Sequence, residues 1–80
     1  MATLLKSDGS KELNVDISSL TKMQEMVGGY VEFVYMRGDK LLIVNEEGLL
    51  MGLPLNQQAT EIYGHHIVGD AIYCGIAEVN

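Results

Sequence analysis

Residues 20–45 read LTKMQEMVGGYVEFVYMRGDKLLIVN, and the hydrophobic period changes within them. In the first eight residues Leu20, Met23, Met26 and Val27 fall at i, i+3, i+6 and i+7, one apolar stripe of a helix. Ser18 or Ser19 stands where a side-chain oxygen can cap the free amides of the first turn. Lys22, Gln24 and Glu25 take the wet side, and Gly28-Gly29 ends the helix. Residues 30–36 are β-branched and aromatic with no Gly or Pro among them, which predicts a strand. Alternation puts Val31, Phe33 and Tyr35 on one face and Tyr30, Glu32, Val34 and Met36 on the other. After a turn at residues 37–40, residues 41–45 run back antiparallel, and their unbroken apolar character predicts a central strand.

Upstream, residues 3–6 and 12–16 flank the turn formers Ser7-Asp8-Gly9-Ser10, a hairpin pattern. Leu13, Val15 and Ile17 alternate with Glu12, Asn14 and Asp16, the pattern of a half-buried strand. Downstream, Glu46-Glu47-Gly48 bends the chain, and Leu49-Leu50-Met51 can pair as a short strand. Gly52-Leu53-Pro54-Leu55 breaks regular structure, because Pro54 lacks the ladder donor and restricts Leu53. Asn56 is placed to cap a short helix over residues 57–62. Residues 63–66 are loop, Ile67-Val68 begins a strand interrupted at Gly69-Asp70, and residues 71–79 form a final strand. Strands and helices do not alternate, which argues against a parallel sheet. The prediction is one α+β domain over residues 1–80: a mostly antiparallel sheet of four to six strands with one main helix on one face.

Composition narrows the function classes. Eleven acids against five bases give a net charge of −6, the wrong sign for a surface that grips phosphate backbones, so no nucleic-acid partner is expected. A single cysteine cannot form an internal disulfide and suits a reducing cytoplasm. No apolar run approaches the ~20 residues needed to cross a bilayer, and the first residues do not read as a leader. An 80-residue chain that is 48% hydrophobic, with mean hydropathy +0.14, must leave apolar surface outside. Small domains often gain stability by associating, so a homo-oligomer is expected.

No catalytic set assembles. Asn45-Glu46-Glu47-Gly48 offers an amide and two carboxylates at a strand end, either a small polar site or ordinary turn chemistry. Neighbouring strand residues point to opposite faces, so Glu46 and Glu47 do not read as an acid–base pair. Glu61 and His65 have helical spacing, but no ligand set completes a zinc site around them or His66. Cys74 sits among apolar neighbours, a setting for a structural thiol rather than a nucleophile. Nothing calls for a metal or a cofactor, and an enzyme is not expected.

Four segments occur in order: Val27-Gly28-Gly29-Tyr30-Val31-Glu32, Asn45-Glu46-Glu47-Gly48, Gly52-Leu53-Pro54-Leu55-Asn56-Gln57-Gln58-Ala59-Thr60 and Ile67-Val68-Gly69-Asp70-Ala71. The series resembles the family called domain of unknown function 3846, found in phages and in bacteria, often within mobile elements. That resemblance implies a bacterial host cytoplasm and a protein that acts by binding. The expectation is sequestration of a nucleotide-derived signalling molecule in counter-defence; the alternative is an interaction module that inhibits a host protein. A nucleotide-like ligand would need aromatic faces such as Tyr30, Tyr35, Tyr63 or Tyr73, polar readers such as Asn45, Glu46 and Asn56, and Arg37 or Lys40 for its phosphates. Asn45, Glu46, Asn56, Tyr30 and Arg37 are the candidate ligand-binding residues.

Overall fold

Leu41, Leu42 and Ile43 are all completely buried, although successive strand residues point to opposite faces. A strand buried on both sides must be covered on both sides, and the architecture follows from that. In the computed structural model, which describes residues 1–79, the strands are β1 (Thr3–Leu5), β2 (Lys11–Leu13), β3 (Val31–Tyr35), β4 (Lys40–Asn45) and β5 (Ala71–Gly75). They form one antiparallel sheet in the order β2-β1-β5-β4-β3. Helix α1 (Leu20–Val27) lies on one face and helix α2 (Gln57–Tyr63) belongs to the other. The α+β domain with its main helix on one face is as the periodicity predicts; the cover over the second face is an addition.

The two faces separate by parity. Leu41, Ile43, Ile72, Cys74 and Leu4 pack with Met23 and Val27 of α1. Leu42, Val44, Leu5 and Ala71 pack with Ala59 and Ile67 on the α2 side. Burying each such Leu or Ile side chain contributes about 1.5–3 kcal/mol. Along β3 and the residue after it, Val31 and Phe33 join the α1 side while Val34 and Met36 join the α2 side, as alternation requires. Ser19 is the cap of α1, its Oγ accepting from the Lys22 amide at 3.2 Å. The helix closes where the Gly28 amide donates to the Gln24 carbonyl at 2.8 Å.

Three expectations need correction. The second hairpin arm is shorter than predicted: Asn14 has φ 57°, which turns the chain, so Leu13 is 69% exposed while Val15 and Ile17 pack on the α1-side core. Leu49, Leu50 and Met51 form a turn instead of a strand, held by Met51 N–H to Glu47 O at 2.9 Å and Leu53 N–H to Gly48 O at 3.0 Å. The final strand stops at Gly75 and continues as a 3-10 turn, Ile76–Glu78, because the Glu78 carboxylate accepts from the Gly75 amide at 2.8 Å.

Candidate functional site

The four quoted segments meet at one end of the sheet, and their polar atoms are spent on each other. Asn45 is buried: its Nδ2 donates to the Val27 carbonyl at 3.1 Å and its Oδ1 accepts from the Glu47 amide at 2.8 Å. Asn56 is fully buried, donating to the carbonyls of Leu5 at 2.7 Å and Gly69 at 2.8 Å while accepting from Ala59 N–H at 3.0 Å. The backbone here is packed to contact. A Cβ on Gly69 would lie 2.7 Å from Leu53 Cδ1, at a φ of +77° that favours glycine, and one on Gly48 would lie 2.9 Å from Val68 Cγ2. The segments therefore build a scaffold. Asn56 has no surface to offer a ligand, and Asn45 has almost none.

The remaining candidates are not brought to one place. Glu46 is exposed, its amide bonded to the Tyr30 carbonyl at 2.8 Å, and it lines a groove of about 380 Å³ with Glu32, Leu49, Leu50 and His66. Tyr30 is 67% exposed and stands beside Gln24, Glu47 and Met51. Arg37 lies at the opposite end of the β3–β4 hairpin.

Around Arg37 the arrangement is different. Tyr35, Met36, Arg37 and Lys40 from the hairpin, Ile62, Tyr63 and His65 from the end of α2, and Tyr73 of β5 enclose a groove of about 470 Å³. Met36, Tyr63 and Tyr73 are held by packing against the α2-side core, so the floor is fixed. Tyr35 is 61% exposed, and the Tyr63 and His65 rings stand 5.4 Å apart at 60°. Among the described residues Lys6 is paired with Glu12 at 3.0 Å and Lys22 with Asp16 at 3.3 Å, whereas Lys11, Arg37 and Lys40 join no ion pair, and the last two line this groove. In a chain of charge −6, this groove holds the Tyr63 and Tyr73 side chains and two cations, while alternation turns the Tyr35 side chain toward the α1 face with Val31 and Phe33. The sequence singles out Tyr35, Tyr63, Tyr73 and Lys40 as residue types; the meeting of Tyr63, Tyr73 and Lys40, and the part played by Ile62, depends on α2 crossing the second face. No local spacing encodes that.

Cys74 is buried in the α1-side core, and burial, with the Glu78 charge adding to it, pushes its thiol pKa up. Such a thiol is a poor nucleophile. Among the described residues no three His, Cys, Asp or Glu side chains gather as a metal-holding set, and no helix is long and apolar enough to cross a membrane. No curated protein and no solved structure matches the chain. A family model does, over its whole length. The match to the domain of unknown function DUF3846 covers residues 1–80, and the chain belongs to that family.

Proposed function

We propose that this protein binds a small anionic ligand carrying a flat ring, of the nucleotide-derived kind, and holds it without transforming it. The observation that carries the reading is the groove in which Tyr63 and Tyr73 stand beside Arg37 and Lys40, which join no ion pair among the described residues. Its volume of about 470 Å³ falls in the range typical of small-molecule sites. Stacking on tyrosine supplies affinity for a base, and the two cations meet its phosphates. In the bacterial or phage setting that the resemblance implies, such a ligand is a host signalling molecule, and holding it in the cytoplasm is counter-defence.

The test is release. Protein incubated with ADP-ribose or with cyclic nucleotides should deplete them, and heat denaturation should return them chemically unchanged by mass spectrometry. Arg37→Ala together with Lys40→Ala should abolish the depletion. Altered products would identify an enzyme, and an untouched pool would refute the reading. A protein-inhibiting function is favoured by one observation, the turn that exposes Leu49 by 82%, Leu50 by 87% and Met51 by 53%. In that case one stoichiometric host protein co-purifies, and Leu50→Lys releases it.

A further inference from the structure

β3 ends the sheet, and among the described residues its outer edge has no partner strand. Which backbone groups lie on that edge follows from the ladder. β3 pairs with β4 in a register that sets Val31 opposite Asn45 and Tyr35 opposite Leu41. The bonds Glu46 N–H to Tyr30 O, at 2.8 Å, and Met36 N–H to Lys40 O, at 3.1 Å, mark Tyr30 and Met36 as hydrogen-bonded to the β4 side. Hydrogen-bonded and non-hydrogen-bonded pairs alternate in an antiparallel ladder. Tyr30, Glu32, Val34 and Met36 therefore spend their backbone groups inward, and Val31, Phe33 and Tyr35 present theirs outward. The Glu32 charge is the one blunting feature of this edge: residues 31–35 contain no proline, lysine or glycine.

We propose that β3 pairs antiparallel with β3 of a second copy, Phe33 opposite Phe33, so that Tyr30 of each copy completes the tyrosine groove of the other. The sequence of the edge selects both occupant and register. With Phe33 on the two-fold axis, Val31 meets Tyr35 and every outward amide and carbonyl between them finds a partner. Glu32 then faces Val34 of the second copy. Moving the axis one residue toward the N-terminus sets Glu32 directly against Glu32, a destabilising like-charge pair. Moving it one residue the other way carries Val31 opposite the turn at Arg37. In the preferred register Tyr30 of the second copy lies directly opposite Met36, which lines the groove. Met36 packs on the face of the sheet that carries α2, alternation gives Tyr30 the same side as Met36, and directly opposed side chains have Cβ atoms ~4.5–5.5 Å apart. Tyr30 is 67% exposed in the single chain, free to take that place. The pairing covers apolar surface left exposed by a small core, and it gives Tyr30 a role at the ligand that one chain cannot give it. The ligand part of this inference rests on the reading of the groove proposed above; the pairing does not.

Cysteine crosslinking tests register and groove without any ligand, so the pairing and the ligand reading can fail separately. Chains carrying Glu32→Cys mixed with chains carrying Val34→Cys should give a disulfide-linked dimer under mild oxidation, as should Tyr30→Cys mixed with Met36→Cys. Each variant alone should stay unlinked, because Glu32 and its counterpart are diagonal, ~7–8 Å apart. Cys74 is buried and does not compete. Light scattering of the unmodified protein should give twice the chain mass of 8.8 kDa. A monomer at micromolar concentration, self-linking of Glu32→Cys alone, or no link in either mixture overturns the pairing. A 32–34 link without a 30–36 link overturns the shared groove. A dimer that links in both mixtures but ignores every nucleotide upholds the pairing and removes the ligand reading.

Discussion

Asn45 and Asn56 look alike in the sequence, amides at element boundaries where binding residues often sit, and the structure uses both to stitch loops together. The difference between a reading amide and a structural one is burial, which no single residue announces. Asn56→Ala removes an N-cap and leaves two buried carbonyls without donors, each such loss worth ~1–3 kcal/mol. A destabilisation of about 3 kcal/mol is expected, roughly 12–24 °C in Tm for a domain of this size, read by thermal denaturation. Arg37→Ala should do the converse: Tm changes little, because Arg37 is exposed and joins no ion pair among the described residues, while ligand affinity falls. If Asn56→Ala keeps its Tm and loses only affinity, the structural assignment of Asn56 is wrong. Cys74 belongs to the same scale. With its thiol pKa raised by burial, it should resist iodoacetamide in the native protein and react once the chain is denatured.

Elements whose signal is local were legible, and those shaped by a distant contact were not. The apolar stripe of α1, its Ser19 cap and the alternation of β3 are all written within a few residues. Asn14 at φ 57° and Glu78 curling back to Gly75 each cut a strand short through one residue that alternation does not register. The α2 segment was readable as a short helix capped by Asn56, yet its place on the second face depends on Ala59 and Ile67 meeting Leu42 and Val44. The start of α1 carries its own prediction. Hydrogen bonding from Ser18 and the Lys22 ammonium hold the Asp16 carboxyl at about 2, against an ordinary value of 3.8. A depressed folded-state pKa stabilises the fold above the unfolded value and loses that contribution as pH falls through the folded one. Stability should therefore drop between pH 4 and pH 2 more gently in Asp16→Asn than in the unmodified protein, by urea denaturation at stepped pH. Identical slopes would show that Asp16 contributes nothing to the acid limb.

At the scale of the whole molecule, two electrostatic ranges oppose each other. The net charge of −6 repels any anion, while Arg37 and Lys40 attract it once it reaches the groove. Ionic strength separates them, because the Debye length is ~30 Å at 0.01 M, ~8 Å at 0.15 M and ~3 Å at 1 M. The protein measures 30 × 26 × 20 Å. At 0.01 M an approaching anion therefore senses the whole negative chain; at 0.15 M it senses chiefly the cations nearest its path. At 1 M it senses neither. The association rate of a nucleotide ligand should rise from 0.01 to 0.15 M salt and fall again toward 1 M, a maximum measurable by stopped-flow tyrosine fluorescence. With both Arg37→Ala and Lys40→Ala in place the falling limb should vanish, leaving a rate that only climbs to a plateau as the repulsion is screened. Dissociation should respond less to salt than association does, since tyrosine stacking is not a charge interaction. A rate that falls steadily from the lowest salt would mean that the groove's cations outweigh the net charge at every distance. A rate indifferent to salt would mean that the ligand enters somewhere other than the Arg37 groove.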